Sequence, residues 1–220
     1  MKRIFLTLLI SLGLITNAFG ALTKSSTSVT DWTLVAQNVI GESGTVNISD
    51  SYETEIHIQA FLDTTTAHTG TEFIVQISGN TSGDEDWQDF TRFVALIGTA
   101  NSEAIVDNPL SATSTTINLA DTGGQYETAP FGTWLAIEDG TLVNSELVMQ
   151  ATFTINDLIT IVDGTTNEHA QNVLMFDYAI SRNIMLPLGF QRARVLVNNT
   201  YDINGSTLNF KVRVTEVTGL

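Results

Sequence analysis

Three histidines, His57, His68 and His169, are the only side chains of the 220-residue sequence whose ordinary titration falls near neutral pH. General acid–base chemistry would have to run through one of them. His57 stands in Glu55-Ile56-His57-Ile58-Gln59-Ala60, where alternation puts Ile56, Ile58 and Ala60 on one face of a strand and His57 on the opposite, wet face. His68 and His169 fall in polar connections, 63–71 and 163–169, and read as solvated loop residues. No HExxH, GxSxG or P-loop spacing surrounds any of them, so the sequence predicts no catalytic constellation and no enzyme.

Carboxylates are plentiful, and the densest group is Asp84-Glu85-Asp86 with Asp89. Oxygen ligands in such number suit Ca²⁺, which takes six to eight of them, although the order departs from an EF-hand loop. These four are the candidate calcium ligands, and no other cofactor is expected. Glycan recognition would instead use aromatic rings that stack on sugars. Trp134 is the candidate, because alternation through Thr133-Trp134-Leu135-Ala136-Ile137-Glu138 separates Leu135 and Ile137 from Trp134, Ala136 and Glu138.

Elements that could position these residues are read from hydrophobic periodicity. Helical stripes are scarce; short runs rich in Val, Ile, Thr and Phe, bounded by Gly, Asn, Asp and Ser, recur along the chain. The pattern predicts an all-β protein, an antiparallel β-sandwich of jelly-roll-like kind, with strands including 54–62, 72–78, 87–97, 133–138, 145–155, 191–198 and 206–217. The last two read as a hairpin through Asn204-Gly205, both of which accept positive φ. The stretch 84–97 has a second reading as one short helix, since Trp87, Phe90, Phe93, Val94 and Ile97 also fit a helical stripe. Residues 31–220 are expected to form a single domain, with 107–113 as its weakest seam.

Lys2 and Arg3, the apolar run that follows, and Ala18-Phe19-Gly20 predict a signal peptide over 1–20. Its removal takes the net charge from −15 to −17, because Lys2 and Arg3 leave with it. The expected location is secreted or cell-surface, without stable membrane insertion. An acidic chain lacks the clustered cations that nucleic acid requires, and with no cysteine its stability must come from the core alone. The freed terminus 21–30 is small, polar and almost uncharged. It reads as a flexible arm in which Ser25, Ser26, Thr27, Ser28 and Val29 would add to the sheet edge of a second copy.

Two segments resemble β modules of uncharacterised exported bacterial surface proteins and virion structural proteins. They are Phe73-Ile74-Val75-Gln76-Ile77-Ser78 with the acidic turn and Trp87, and Ser114-Thr115-Thr116-Ile117-Asn118-Leu119-Ala120 leading to Leu135-Ala136-Ile137-Glu138-Asp139-Gly140. The resemblance implies a structural role. Taken with the residues, the expectation is an exported structural or adhesive surface protein, a homo-oligomer and in its finer form a fibre or layer subunit joined through the arm. The alternative is a secreted carbohydrate-binding module with glycans as partners.

Overall fold

The computed structural model describes residues 22–62, 65–84, 86–120, 132–152, 157–200 and 207–219. The expected signal peptide lies outside them. Of the described residues 60% are strand and 2% helical, so the all-β expectation holds. In chain order the strands are β1 (Thr23–Val35), β2 (Ile40–Glu42), β3 (Val46–Asn47), β4 (Ser51–Leu62), β5 (His68–Ser78), β6 (Gln88–Gly98), β7 (Ser102–Ala104) and β8 (Thr116–Asn118). They continue with β9 (Trp134–Glu138), β10 (Glu146–Met149), β11 (Leu158–Thr160), β12 (Leu174–Phe176), β13 (Ala179–Met185), β14 (Arg192–Asn198) and β15 (Leu208–Thr218). Among the described residues one 3₁₀ turn, Leu142–Asn144, precedes β10.

Two antiparallel sheets form the sandwich. Sheet I has the order β1-β15-β4-β13, and sheet II the order β2-β14-β5-β6 with β3 also on β14. Period-two alternation decides what each buries. Ile56, Ile58 and Ala60 with Phe210, Val212 and Val214 from sheet I, and Phe73, Val75 and Ile77 with Ala193, Val195 and Val197 from sheet II, belong to one core. Each fully buried Phe or Ile there contributes about 1.5–3 kcal/mol.

A third sheet, β10-β9-β12-β7, divides its faces between this core and a second one. Ala136 and Phe176 belong to the first core, whereas their neighbours Leu135, Ile137 and Met175 join Ile105, Leu110, Ile117, Ile159 and Ile161 in the second. The β8–β11 pair contributes Ile117 and Ile159 to that second core. The anticipated split of Leu135 and Ile137 from Ala136 is therefore present, with Ala136 buried as well between the half-buried Trp134 and Glu138.

Three expectations are corrected. Strands β14 and β15 exist, yet they are not a hairpin: β14 pairs with β5, β2 and β3, and β15 pairs with β4 and β1. Both alternate strongly, and two apolar faces bury more by meeting across a core than by lying side by side. Residues 201–206 between them lie outside the described residues. The helix reading of 84–97 also fails, because Gln88–Gly98 is a strand in register with β5 from His68↔Gly98 to Ile77↔Gln88. The supposed stripe is not buried as one face: Phe93 stacks on Phe73 at 5.1 Å, while Phe90, Val94 and Ile97 stay exposed. Finally, the arm is not loose. Thr23–Val35 pairs with β15 from Thr23↔Thr218 to Val35↔Leu208, since backbone ladders need no apolar side chains.

Candidate functional site

The residues singled out for assembly, Ser25, Ser26, Thr27 and Ser28, are exposed on β1, and Val29 is half-buried. Among the described residues β1 is laddered on one side only, to β15, so its other edge is open. Register shifts between Ser28 and Thr30 and between Thr30 and Thr33 mark where the exposed half of β1 meets the half anchored by Trp32 and Val35. On sheet II, β6 is the opposite terminal strand and exposes Phe90, Val94 and Ile97 along eleven residues. Long edges with so little charge are the ones along which sheets add to one another; in 23–30 Lys24 is the sole charged residue.

Two of the four candidate calcium ligands, Asp86 and Asp89, are paired with cations of the protein itself. Asp86 accepts from the Ser78 hydroxyl, the Asn80 N–H at 3.2 Å and Arg192 at 3.3 Å. The Ser78 bond, helped by Asn80 and Arg192 against desolvation, holds its carboxyl below the usual range. Asp89 is paired to Arg92 and accepts from the Gln76 amide at 2.8 Å. Asp84 is exposed, and Glu85 lies outside the described residues. No group of three or more metal-ligating side chains is found among the described residues. Beside the cluster, the guanidinium groups of Arg192 and Arg194 lie over the Trp87 ring, at 4.8 and 4.3 Å from its centroid, and its buried indole N–H has no partner among the described residues.

His57 lies on the face of β4 opposite Ile56, Ile58 and Ala60, as its alternation suggests, whereas His68 and His169 are not solvated loop residues. His57 is half-buried with its Nε2 2.7 Å from the Ser181 hydroxyl, and burial, with the charge of Arg213, depresses its pKa. His68 is fully buried at the start of β5, with ring nitrogens 2.6 Å from the Leu96 carbonyl and 3.0 Å from the Asn199 side-chain oxygen. His169, expected in solvent, is 0% exposed. Its Nδ1 stands 3.1 Å from Asp139 and its Nε2 2.7 Å from Glu146. Burial alone would lower its pKa, but the two carboxylates outweigh burial and raise it. Burial likewise works to raise Glu146, and the bonds from His169 and from the Thr166 and Asn167 N–H groups, at 2.7 and 3.2 Å, overcome it, so its pKa is lowered. An antiparallel backbone bridge to Leu110 holds His169 in place.

Two adjoining clefts open where this cluster meets sheet I. One is lined by Trp32, Gln59, Ser145, Glu146, Lys211 and Arg213 among others, and the second shares Gln59, Glu146, Leu147 and Thr166 with it and reaches Trp134. The floor is fixed: the Trp32 indole N–H donates to the Ser145 carbonyl at 2.5 Å, and the Trp32 ring packs edge-on against Phe61 at 5.1 Å. Trp134 is half-buried.

No protein-family model matches the chain, and no curated protein is similar to it in sequence. In structure it is weakly similar to adhesin domains and to a phage capsid protein. The K3 cleaved adhesin domain of Lys-gingipain from Porphyromonas gingivalis W83 is 8% identical at a TM-score of 0.32, over 87% of this chain and 72% of that one. The K2 cleaved adhesin domain is 10% identical at 0.32, over 86% and 99%. VP17, a capsid protein of bacteriophage P23-77, is 8% identical at 0.19, over 90% and 97%. At such values the likeness concerns the β architecture alone and carries no argument about what this chain does.

Sequence reasoning passed over the Asp139–Glu146–His169 cluster and the cations of β15. The first joins residues up to 30 positions apart in three segments, so nothing local marks it. The second carried a signal, the concentration of basic residues near the C-terminus, but their shared face emerges only from the β15 register: Lys211↔Gln59 and Arg213↔His57.

Proposed function

We propose that this protein is an exported structural subunit of a surface or particle assembly, whose copies join edge to edge through β1. The reading is supported chiefly by the open outer edge of β1, where Ser25, Ser26, Thr27 and Ser28 present a strand almost without charge. The arm of the sequence reading thus keeps its role in altered form: it is ordered within its own subunit and offers the side not taken by β15. A β1 edge meeting the β6 edge of a neighbour is heterologous and propagates, whereas β1 meeting β1 closes into a dimer. The exposed Phe90, Val94 and Ile97 on β6 favour the first arrangement, because they add apolar contact to the ladder. No enzymatic role belongs to this reading.

The test is multi-angle light scattering and negative-stain electron microscopy of protein lacking residues 1–20, alongside a Ser26→Lys, Thr27→Lys variant. Both side chains are exposed, so the variant keeps its melting temperature while the added charges block strand addition. Oligomers or filaments that the two lysines dissolve are the expected result. A monodisperse monomer at high concentration, or polymers indifferent to the lysines, would overturn the proposal.

A further inference from the structure

Three of the seven described Lys and Arg residues are paired to carboxylates, Arg92 to Glu72 and Asp89, Arg192 to Asp86, and Arg194 to Glu42, while Lys24 and Arg182 stand apart from the clefts. Lys211 and Arg213 have no carboxylate within salt-bridge distance among the described residues. They stand two apart on β15 and therefore on one face of sheet I, opposite Gln59 and His57 of β4. That face forms one wall of the Trp32 cleft. The one carboxylate in the same cleft, Glu146, is already engaged by His169 and by two backbone N–H groups. The unbalanced charge of the Trp32 cleft is thus cationic, while the adjoining cleft carries Asp163, so an anionic group is drawn to the Lys211 and Arg213 end.

The remaining lining narrows the anion to a class. Gln59, facing Lys211 across the ladder, makes no side-chain hydrogen bond among the described residues, and Asn167 uses its NH₂ on the Asn144 carbonyl at 2.9 Å, leaving its Oδ1 to accept. The free Gln59 amide on one wall and the Asn167 Oδ1 acceptor on the other match the hydroxyls of a sugar, which both donate and accept. The Trp32 ring lies under Lys211, its centroid 5.8 Å from Nζ, and the adjoining cleft ends on Trp134, a half-buried ring of the kind on which a sugar stacks.

We infer that the cleft between the outer face of β15 and β4 and the Leu142–Asn144 turn binds a saccharide that carries a carboxylate, with Lys211 and Arg213 on the acid group, Gln59 and Asn167 on hydroxyls, and Trp134 under a second ring. The site uses a face of sheet I and not its open edge, so it stands apart from the assembly reading, and failure of either leaves the other in place. A simple inorganic anion would need the two cations but neither amide nor tryptophan.

The experiment is isothermal titration calorimetry of the protein lacking residues 1–20 with a trimer of galacturonic acid, a neutral galactose trimer and sodium acetate. Binding of the acidic trimer alone is expected, weakened about tenfold or more in Lys211→Met, Arg213→Met, as the loss of charge-assisted hydrogen bonds implies, and weakened again in Trp134→Ala. The Met side chain retains the apolar stem, and Arg213 is exposed; if the double variant fails to fold, Arg213→Met alone gives the reading. Absence of heat with the acidic trimer, equal affinity for the neutral one, affinity unchanged in the variants, or acetate competing at the same concentration would each overturn the inference.

Discussion

Replacing His169 by Gln removes the cation from a site that holds two carboxylates, and the cost follows from their burial. The His169 side chain has no exposed area, whereas those of Glu146 and Asp139 keep 10% and 14% of theirs. Stripping one partner from a buried ion pair costs about 3–5 kcal/mol. The residual exposure of both acids, and the two N–H donors that stay with Glu146, reduce that to about 2–4 kcal/mol. For a chain of this size each kcal/mol moves the melting temperature by about 2–4 °C, so a fall of about 10 °C is expected.

The pH dependence is the sharper part. His169 has its folded pKa raised above the ordinary 6.5, so its contribution is complete below 6.5 and is lost as pH climbs through the raised value. Glu146 has its folded pKa lowered below 4.5, so its contribution is present above 4.5 and is lost as pH falls through the lowered value. Wild type and His169→Gln should therefore differ most between these two ordinary values and converge as the solution turns alkaline. Taking the difference between the two proteins cancels the general effect of the acidic surface. Chemical denaturation at a series of pH values from 5 to 9 measures it, and a gap of constant size across that series, or no gap at pH 5.5, would refute the reasoning.

Further outcomes are expected elsewhere in the fold. Phe61 is fully buried between Trp32 and Phe176, at centroid distances of 5.1 and 6.5 Å, so Phe61→Ala should cost about 3–5 kcal/mol through lost burial and the cavity left behind, read by urea denaturation at unchanged denaturant slope. A Cβ added at Gly164 would stand 2.6 Å from the Thr113 carbonyl oxygen, a backbone atom that cannot swing away. Gly164→Ala should accordingly lower stability by about 1–3 kcal/mol and speed amide exchange at Thr165, whose N–H donates to Ser114 at 3.0 Å.

What could be read from the residues was whatever depended on period two. Ile56, Ile58 and Ala60 declared a buried face, and Ala193, Val195 and Val197 another, and both are there. Which strand each would pair with was not legible: Asn204-Gly205 suggested a local turn, yet the partners of β14 and β15 are set by the two faces meeting across a core assembled from the whole chain. Exposure of polar residues was misread for the same reason. His169 follows Thr165-Thr166-Asn167-Glu168, a run indistinguishable from a solvated loop until Leu110, Asp139 and Glu146 arrive around it. In β1 the composition correctly denied any core role to Ser25 through Ser28, and it could not report that their backbone would be laddered to β15.

That ladder bears on when the protein can fold. Among the described residues the only strand on which β1 is laid is β15, nearly two hundred residues later, and β15 is also what joins β1 to β4 in sheet I. During synthesis the first strand must wait, unpaired, until almost the last residues have emerged, and pairings of such sequence separation form slowly. The interval during which the first strand stays unpaired is thus written into the strand order.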